Sequence, residues 1–174
     1  LTEQVGRYGP SRVMASSLTR TAASEIAGRN SGVAKECVGT LHSICFRALG
    51  FPDMTEGKEE DFNRAYPAYR LSLDGKERSV DNPFDDAGSG DTGADELRRQ
   101  LDMYRVKMVE RNLWNDSVRN FAQAWEAWKE ANHLLDFTDL LEVCLRDVEE
   151  APGSPAVMVS DEAQDLNRLS VQLS

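Results

Sequence analysis

Three short apolar runs constrain this chain more than any other feature, because each stops at polar residues and each is separated from the next by sequence with helical spacing. The first is Arg12 to Ser17 (Arg-Val-Met-Ala-Ser-Ser), the second Glu36 to Gly39, and the third Ala156 to Val159, directly ahead of Ser160, Asp161 and Glu162. Runs this short and this apolar read as buried strands. Neighbouring strands joined by long helical connections lie parallel, since a parallel pair needs a crossover of about a dozen residues or more. The expected fold class is therefore α/β, with a parallel sheet. In such sheets the chemistry gathers beyond the carboxyl ends of the strands, and here those ends lead at once into hydroxyl or carboxylate residues.

The connecting stretches have their own signals. Thr21 to Arg29 is alanine-rich and reads as a helix, with Gly28 or Asn30 near its stop. Leu41, Ile44, Cys45, Ala48 and Leu49 recur at helical spacing until Gly50 and Pro52 end the element. From Asp53 to about Gly93 the chain turns acidic and is punctuated by Asp81-Asn82-Pro83 and by Gly88 to Gly93, which predicts loops and short helices. Two amphipathic helices follow, one marked by Leu97, Leu101, Tyr104 and Met108, the next by Val118, Phe121, Trp125 and Trp128; they are expected to pack on each other. Trp125 and Trp128 share a stripe with Val118 and Phe121, so they read as core and not as a base-stacking platform. Asp136 and Asp139 read as the cap and first turn of a last helix and are assigned no chemistry. The resulting division is an α/β core over 1–52 and 133–174, with a mainly helical insertion over 53–132.

Charge enters because it bears on partners. The net charge of −10 is unevenly spread, with +3 in residues 1–50, −6 in 51–100 and −5 in 101–150. Phosphate backbones are bound mainly through lysine and arginine, so the first segment is the one suited to nucleic acid. No stretch nears the roughly 18 uninterrupted apolar residues of a membrane helix, and the start lacks a signal pattern, which implies a soluble, cytoplasmic protein. Cys37, Cys45 and Cys144 are odd in number and widely spaced, and read as small buried hydrophobes instead of a disulfide framework or zinc site.

An apolar strand that delivers two adjacent carboxylates at its end suits nucleotide hydrolysis, in which one acid holds Mg²⁺ and the next activates water. Asp161 and Glu162 fit those roles. Asp161-Glu162-Ala163-Gln164-Asp165 resembles the Asp-Glu-x-Gln-Asp box of the UvrD/Rep helicases of superfamily 1. Three further blocks occur in that family's order: Ser17-Leu18-Thr19-Arg20-Thr21-Ala22-Ala23, Gly39-Thr40-Leu41-His42-Ser43, and Asp136-Phe137-Thr138-Asp139-Leu140-Leu141.

The resemblance implies a partial P-loop NTPase (RecA-like) sheet carrying the helical insertion. It implies Asp161 as the Mg²⁺ ligand through water, Glu162 as the catalytic base, Gln164 as the sensor of the γ-phosphate or attacking water, and Asp165 as part of the nucleotide-coupling box. Ser17, Leu18, Thr19, Arg20, Thr40, Leu41 and His42 would line the track for single-stranded DNA. Hydroxyl groups and helix N-terminal amides suit phosphate oxygens, although Thr19 and Thr40 also suit plain helix capping and His42 a structural role. Leu18 and Leu41 stand where the family carries phenylalanine, and Thr21 where it carries lysine. Lost base stacking would weaken the track by about 1–3 kcal/mol per base.

A phosphate loop of the form Gly-x-x-x-x-Gly-Lys-Ser/Thr is not found, because Gly57-Lys58-Glu59 and Gly75-Lys76-Glu77 lack the following hydroxyl. The resemblance therefore implies the front part of a first motor domain without its Walker A loop, with a second motor domain elsewhere in the same chain. The parent protein would hydrolyse ATP with Mg²⁺ and move 3′ to 5′ on single-stranded DNA or DNA junctions, while these residues alone would turn over ATP negligibly. The other reading is a catalytically inactive, helicase-like DNA-binding or scaffolding module; a stand-alone metal-dependent hydrolase is a distant third.

Overall fold

The structure, a computed structural model, describes residues 1–29, 32–73 and 92–173. Its fold is α/β, with strands β1 (Val13–Ser17), β2 (Val38–Thr40) and β3 (Val157–Ser160) in one parallel sheet of order β2-β1-β3. The helices are α1 (Thr2–Tyr8), α2 (Arg20–Gly28), α3 (Leu41–Ala48), α4 (Glu59–Ala65), α5 (Gly93–Val106), α6 (Asp116–Asn132), α7 (Phe137–Asp147) and α8 (Arg168–Leu173). Contacts divide the chain into two compact units, whose described residues are 1–51 with 140–173, and 52–73 with 92–139; the boundary falls inside α7.

In the first unit β1 is the middle strand and every one of its residues is buried. Its core partners are Ala23 and Ile26 of α2 and Val38 of β2, which pack with Ala15. Two sequence expectations are corrected here. The strand expected at Glu36 to Gly39 is shifted: Lys35–Cys37 form a 3-10 turn, and the ladder begins only at Val38. The run ahead of Asp161, expected as an interior strand, is instead half-buried along its length. It pairs with β1 on one side, and no strand among the described residues pairs with the other. A run of Val-Met-Val signals a strand but not its place in the sheet, because an edge strand covered by helices can be as apolar as a central one.

In the second unit α5 and α6 pack together as expected, around Phe62, Leu101, Val118, Phe121, Trp125 and Trp128. Trp125 is 1% exposed and meets Phe62 edge-on at 4.9 Å between ring centroids, which confirms the aromatic stripe as core. Helix α5 starts earlier than its apolar stripe suggested. Thr92 and Asp95 form a reciprocal capping box that fixes the start at Gly93, within the glycine-rich stretch expected to be loop. Asp81-Asn82-Pro83, Gly75-Lys76-Glu77, Gly88 to Asp91 and Asn30 lie outside the described residues. Among the described residues no helix is long and apolar enough to cross a membrane.

Candidate functional site at the carboxyl edge of the sheet

Parallel pairing sets which polar residues become neighbours. Ser17 is in register with Thr40, and Ser16 with Ser160, so the three runs deliver their polar ends to one edge of the sheet. The Ser16 and Ser160 hydroxyls share a hydrogen bond of 2.9 Å, and the Asp161 amide donates to the Ser16 carbonyl at 2.8 Å. The start of the acidic box is thereby tied to the middle strand.

The turns into α2 and α3 are each shaped by a short polar side chain. Thr19 caps α2, its hydroxyl accepting from the Ala22 amide at 3.1 Å, and Thr40 caps α3, accepting from the Ser43 amide at 3.2 Å. The capping readings of both threonines are therefore correct, whatever else these residues do. The Ser43 hydroxyl turns back to donate to the Thr40 carbonyl at 2.8 Å. Gly39 is required for that closure, because a Cβ at position 39 would collide with the Ser43 hydroxyl and approach the Arg47 guanidinium at 3.5 Å.

Beyond β3 the chain turns sharply. Glu162 takes a left-handed conformation with φ 53°, followed by a 3-10 turn over Ala163–Asp165. A left-handed glutamate is uncommon and such conformations cluster at functional turns. Asp161, Glu162, Gln164 and Asp165 are all exposed. Among the described residues the Gln164 amide reaches only toward Asp165, at 3.5 Å, too long to restrain it firmly.

The residues expected along a DNA track split by exposure. Ser17, Thr40 and Leu41 are buried, Leu18, Thr19 and His42 are half-buried, and Arg20 is exposed. Leu41 is a core residue, which explains a leucine there without any partner. Burial pushes the His42 imidazole down to about 4, so it is neutral at physiological pH and a weak choice for a phosphate contact. One group at the edge is unexplained by packing: the Ser17 hydroxyl is buried and has no hydrogen-bond partner among the described residues. Buried polar atoms are nearly always satisfied, and an orphan calls for a missing partner.

No group of three or more His, Cys, Asp or Glu side chains converges among the described residues. Mg²⁺ keeps several waters and takes one or two carboxylates plus substrate phosphates, so Asp161 and Glu162 at a strand end fit a magnesium-nucleotide complex better than an all-protein cage.

A second polar constellation, which sequence reasoning treated only as a helix cap, lies inside the second unit. Asp136 and Asp139 do cap each other's backbone, each amide donating to the other's carboxylate at 2.8 Å. They also receive Arg105, at 3.0 Å to Asp136 and 2.5 Å to Asp139, and Lys129, at 2.5 Å to Asp136 and in direct contact with Asp139. The Trp125 indole donates to Asp136 at 2.9 Å. Burial alone would raise the Asp136 carboxyl, but Arg105 and Lys129 hold it well below the usual range. Asp139 is pushed up by burial and by the charge of Asp136, against the pull of the same two cations. The signal available in sequence was a cation on an apolar stripe: Arg105 follows Leu101, and Lys129 follows Trp125, each by one helical turn.

Searched against protein-family models and against curated proteins, the chain gave no match.

Proposed function

We propose that this chain supplies the acidic box and the DNA-facing turns of an ATP-driven DNA helicase or translocase of the UvrD/Rep type, built on a RecA-like sheet. The observation that carries the proposal is the strand register, which brings the ends of three separately resembling blocks, at Ser17, Thr40 and Ser160-Asp161, to one edge. In this reading Asp161 holds Mg²⁺ through water, Glu162 accepts a proton from the attacking water, and Gln164 and Asp165 couple the nucleotide to the DNA side. The unrestrained Gln164 suits a sensor that is positioned only when nucleotide is present. Bound ATP and Mg²⁺ supply the phosphoryl group and the charge neutralisation; the chain's own residues orient and deprotonate. The phosphate loop and a second motor domain would come from other sequence of the same protein.

On the DNA side the reading rests on Arg20 and on the backbone amides that open α2 and α3, with Leu18, Thr19 and His42 at the margin. Ser17, Thr40 and Leu41, being buried, would shape those turns from beneath. The reading as an inactive DNA-binding or scaffolding module draws on a specific fact, that Leu41 is only 6% exposed where a stacking ring would be needed.

The test uses the full-length protein. ATP hydrolysis should be stimulated by single-stranded DNA, and Glu162→Gln should lower turnover by about 10²–10⁴-fold, the usual worth of a general base, while DNA retention persists. Undiminished turnover in that variant would refute the assigned base. Intact DNA binding with no DNA-stimulated hydrolysis in the unmodified protein would select the scaffolding reading.

A further inference from the structure

The second unit holds a pocket that the proposed function does not use. Its volume is about 440 Å³, within the range of small-molecule sites. It lies between α4 and the carboxyl end of α6, and its lining comes from this unit alone. Lys58, Asp61 and Arg64 recur every three residues from the start of α4 and so share one wall. Trp128 and Asn132, one turn apart on α6, form the other. His133 then ends α6 in a left-handed conformation, φ 54°, and Leu134 follows into the lining. Trp128 and Leu134 are each 5% exposed, whereas Asp61, Arg64 and Asn132 are exposed, so the apolar groups lie deep and the polar ones at the mouth.

The fold leaves these polar groups available. Among the described residues the Lys58 side chain makes no hydrogen bond or ion pair. Arg64 meets Glu60 at 3.5 Å and Asp61 at 3.3 Å, pairs exposed enough for solvent to weaken them. The Asn132 amide nitrogen donates to the Trp128 carbonyl at 2.8 Å, which orients the side chain and leaves its carbonyl oxygen as an acceptor.

We propose that this pocket binds a nucleoside monophosphate whose base carries an exocyclic amine. Two cations call for an anion, the Asp61 carboxylate and the Asn132 carbonyl for a hydrogen-bond donor, and the buried Trp128 and Leu134 for a flat, apolar body. Inorganic phosphate lacks the body and a fatty acid lacks the donor; the nucleotide has all three. In this arrangement Lys58 and Arg64 hold the phosphate, Asp61 and Asn132 accept from the base amine, and the ring lies toward Trp128 and Leu134. The same chemistry is offered by a free mononucleotide and by a nucleotide within a single strand. The proposal is independent of the helicase reading, because no residue of the sheet edge takes part.

The experiment titrates deoxycytidine 5′-monophosphate into the full-length protein by calorimetry, with EDTA present so that no magnesium-dependent nucleotide site is loaded. Saturable binding is expected, with a Kd below about 1 mM. Thymidine monophosphate, which has no exocyclic amine, and deoxycytidine, which has no phosphate, should each bind about tenfold more weakly. Lys58→Ala combined with Arg64→Ala should weaken binding by about tenfold, and Ala65→Phe, at an exposed position in the lining, should abolish it by filling the space. A single-stranded oligodeoxycytidylate separates the sources: affinity lost in Ala65→Phe assigns the nucleotide to a strand, and affinity indifferent to that change assigns it to the free monophosphate. No binding of deoxycytidine monophosphate, equal binding of either analogue, or binding that survives Ala65→Phe would each overturn the proposal. Absence of DNA-stimulated ATP hydrolysis would sink the helicase reading and leave this one standing.

Discussion

The carboxyl edge of the sheet and the charged interior of the second unit are both rich in polar residues, and they handle them in opposite ways. In the interior every carboxylate oxygen of Asp136 and Asp139 finds a cation, an indole or an amide. At the edge the acids are exposed, Glu162 sits in a left-handed turn, and the Ser17 hydroxyl is buried without a partner among the described residues. The Asp136–Asp139 cluster is satisfied within the fold, although both carboxylate oxygens of Glu56 in the same unit are buried with no hydrogen-bond partner among the described residues; the acids at the edge instead face outward, free to meet something outside the fold. Stability measurements can break this contrast, since it requires large losses from the interior and small changes from the edge.

The largest loss is expected from Asp136→Ala. It leaves the Trp125 indole without its acceptor and the two cations Arg105 and Lys129 with Asp139 alone, and removing one member of a buried charge cluster destabilises by about 3–5 kcal/mol. Urea unfolding at neutral pH measures it. A loss below about 1 kcal/mol would mean that water reaches the cluster and that the interior is no better satisfied than the edge.

Thr40→Ala comes next, at about 1 kcal/mol and up to about 2, through loss of the α3 cap. It sharpens the comparison by separating scaffold from site within the edge itself. A neutral result would free Thr40 from its capping role and strengthen a direct part in binding.

Much of the architecture could be read from the residues, and the failures have physical causes. Parallel strands, the aromatic stripe and both threonine caps follow from local periodicity and capping chemistry, which act over a few residues. The edge position of β3 does not, since Val157 to Val159 carry no mark of which neighbours they have. Arg105 and Lys129 carry no such mark, because a long cationic side chain on an apolar stripe ordinarily reaches back to solvent; only tertiary packing brings both to Asp136 and Asp139. At the candidate site the acid pair is legible from the strand ahead of it, whereas the burial of Leu41 and the left-handed Glu162 are set by the turns.

Acid and base titration probe the interior from both directions. The folded value of Asp136 is depressed, so its stabilisation is in place above its unfolded value of about 3.9 and is lost as pH falls toward the folded one. Glu56 is shifted the other way. Burial raises it, opposed by its own backbone amide and by Arg98, and Asp136 and Glu59 add to the rise; neither carboxylate oxygen has a hydrogen-bond partner in another residue among those described. Its contribution is therefore present below the unfolded value of about 4.3 and lost as pH rises through the folded one. Glu56→Gln should stabilise the protein by about 1 kcal/mol at pH ~7, with the gain vanishing at pH ~4 and below. Thermal midpoints at the two pH values check it; a loss at neutral pH would assign Glu56 a partner that holds it ionised.

The smallest effect belongs to the edge. Glycine adopts φ 53° without the strain a glutamate bears, but it also frees the unfolded chain, so Glu162→Gly should stabilise by no more than about 1 kcal/mol. Among the described residues the exposed carboxylate makes no hydrogen bond or ion pair to offset that relief. If denaturation instead shows a loss of about 2 kcal/mol or more, the side chain of Glu162 is anchored by the fold. Its left-handed turn would then be structural, and the distinction between the satisfied Asp136–Asp139 cluster and an edge reserved for a ligand would fail at the residue on which it most depends.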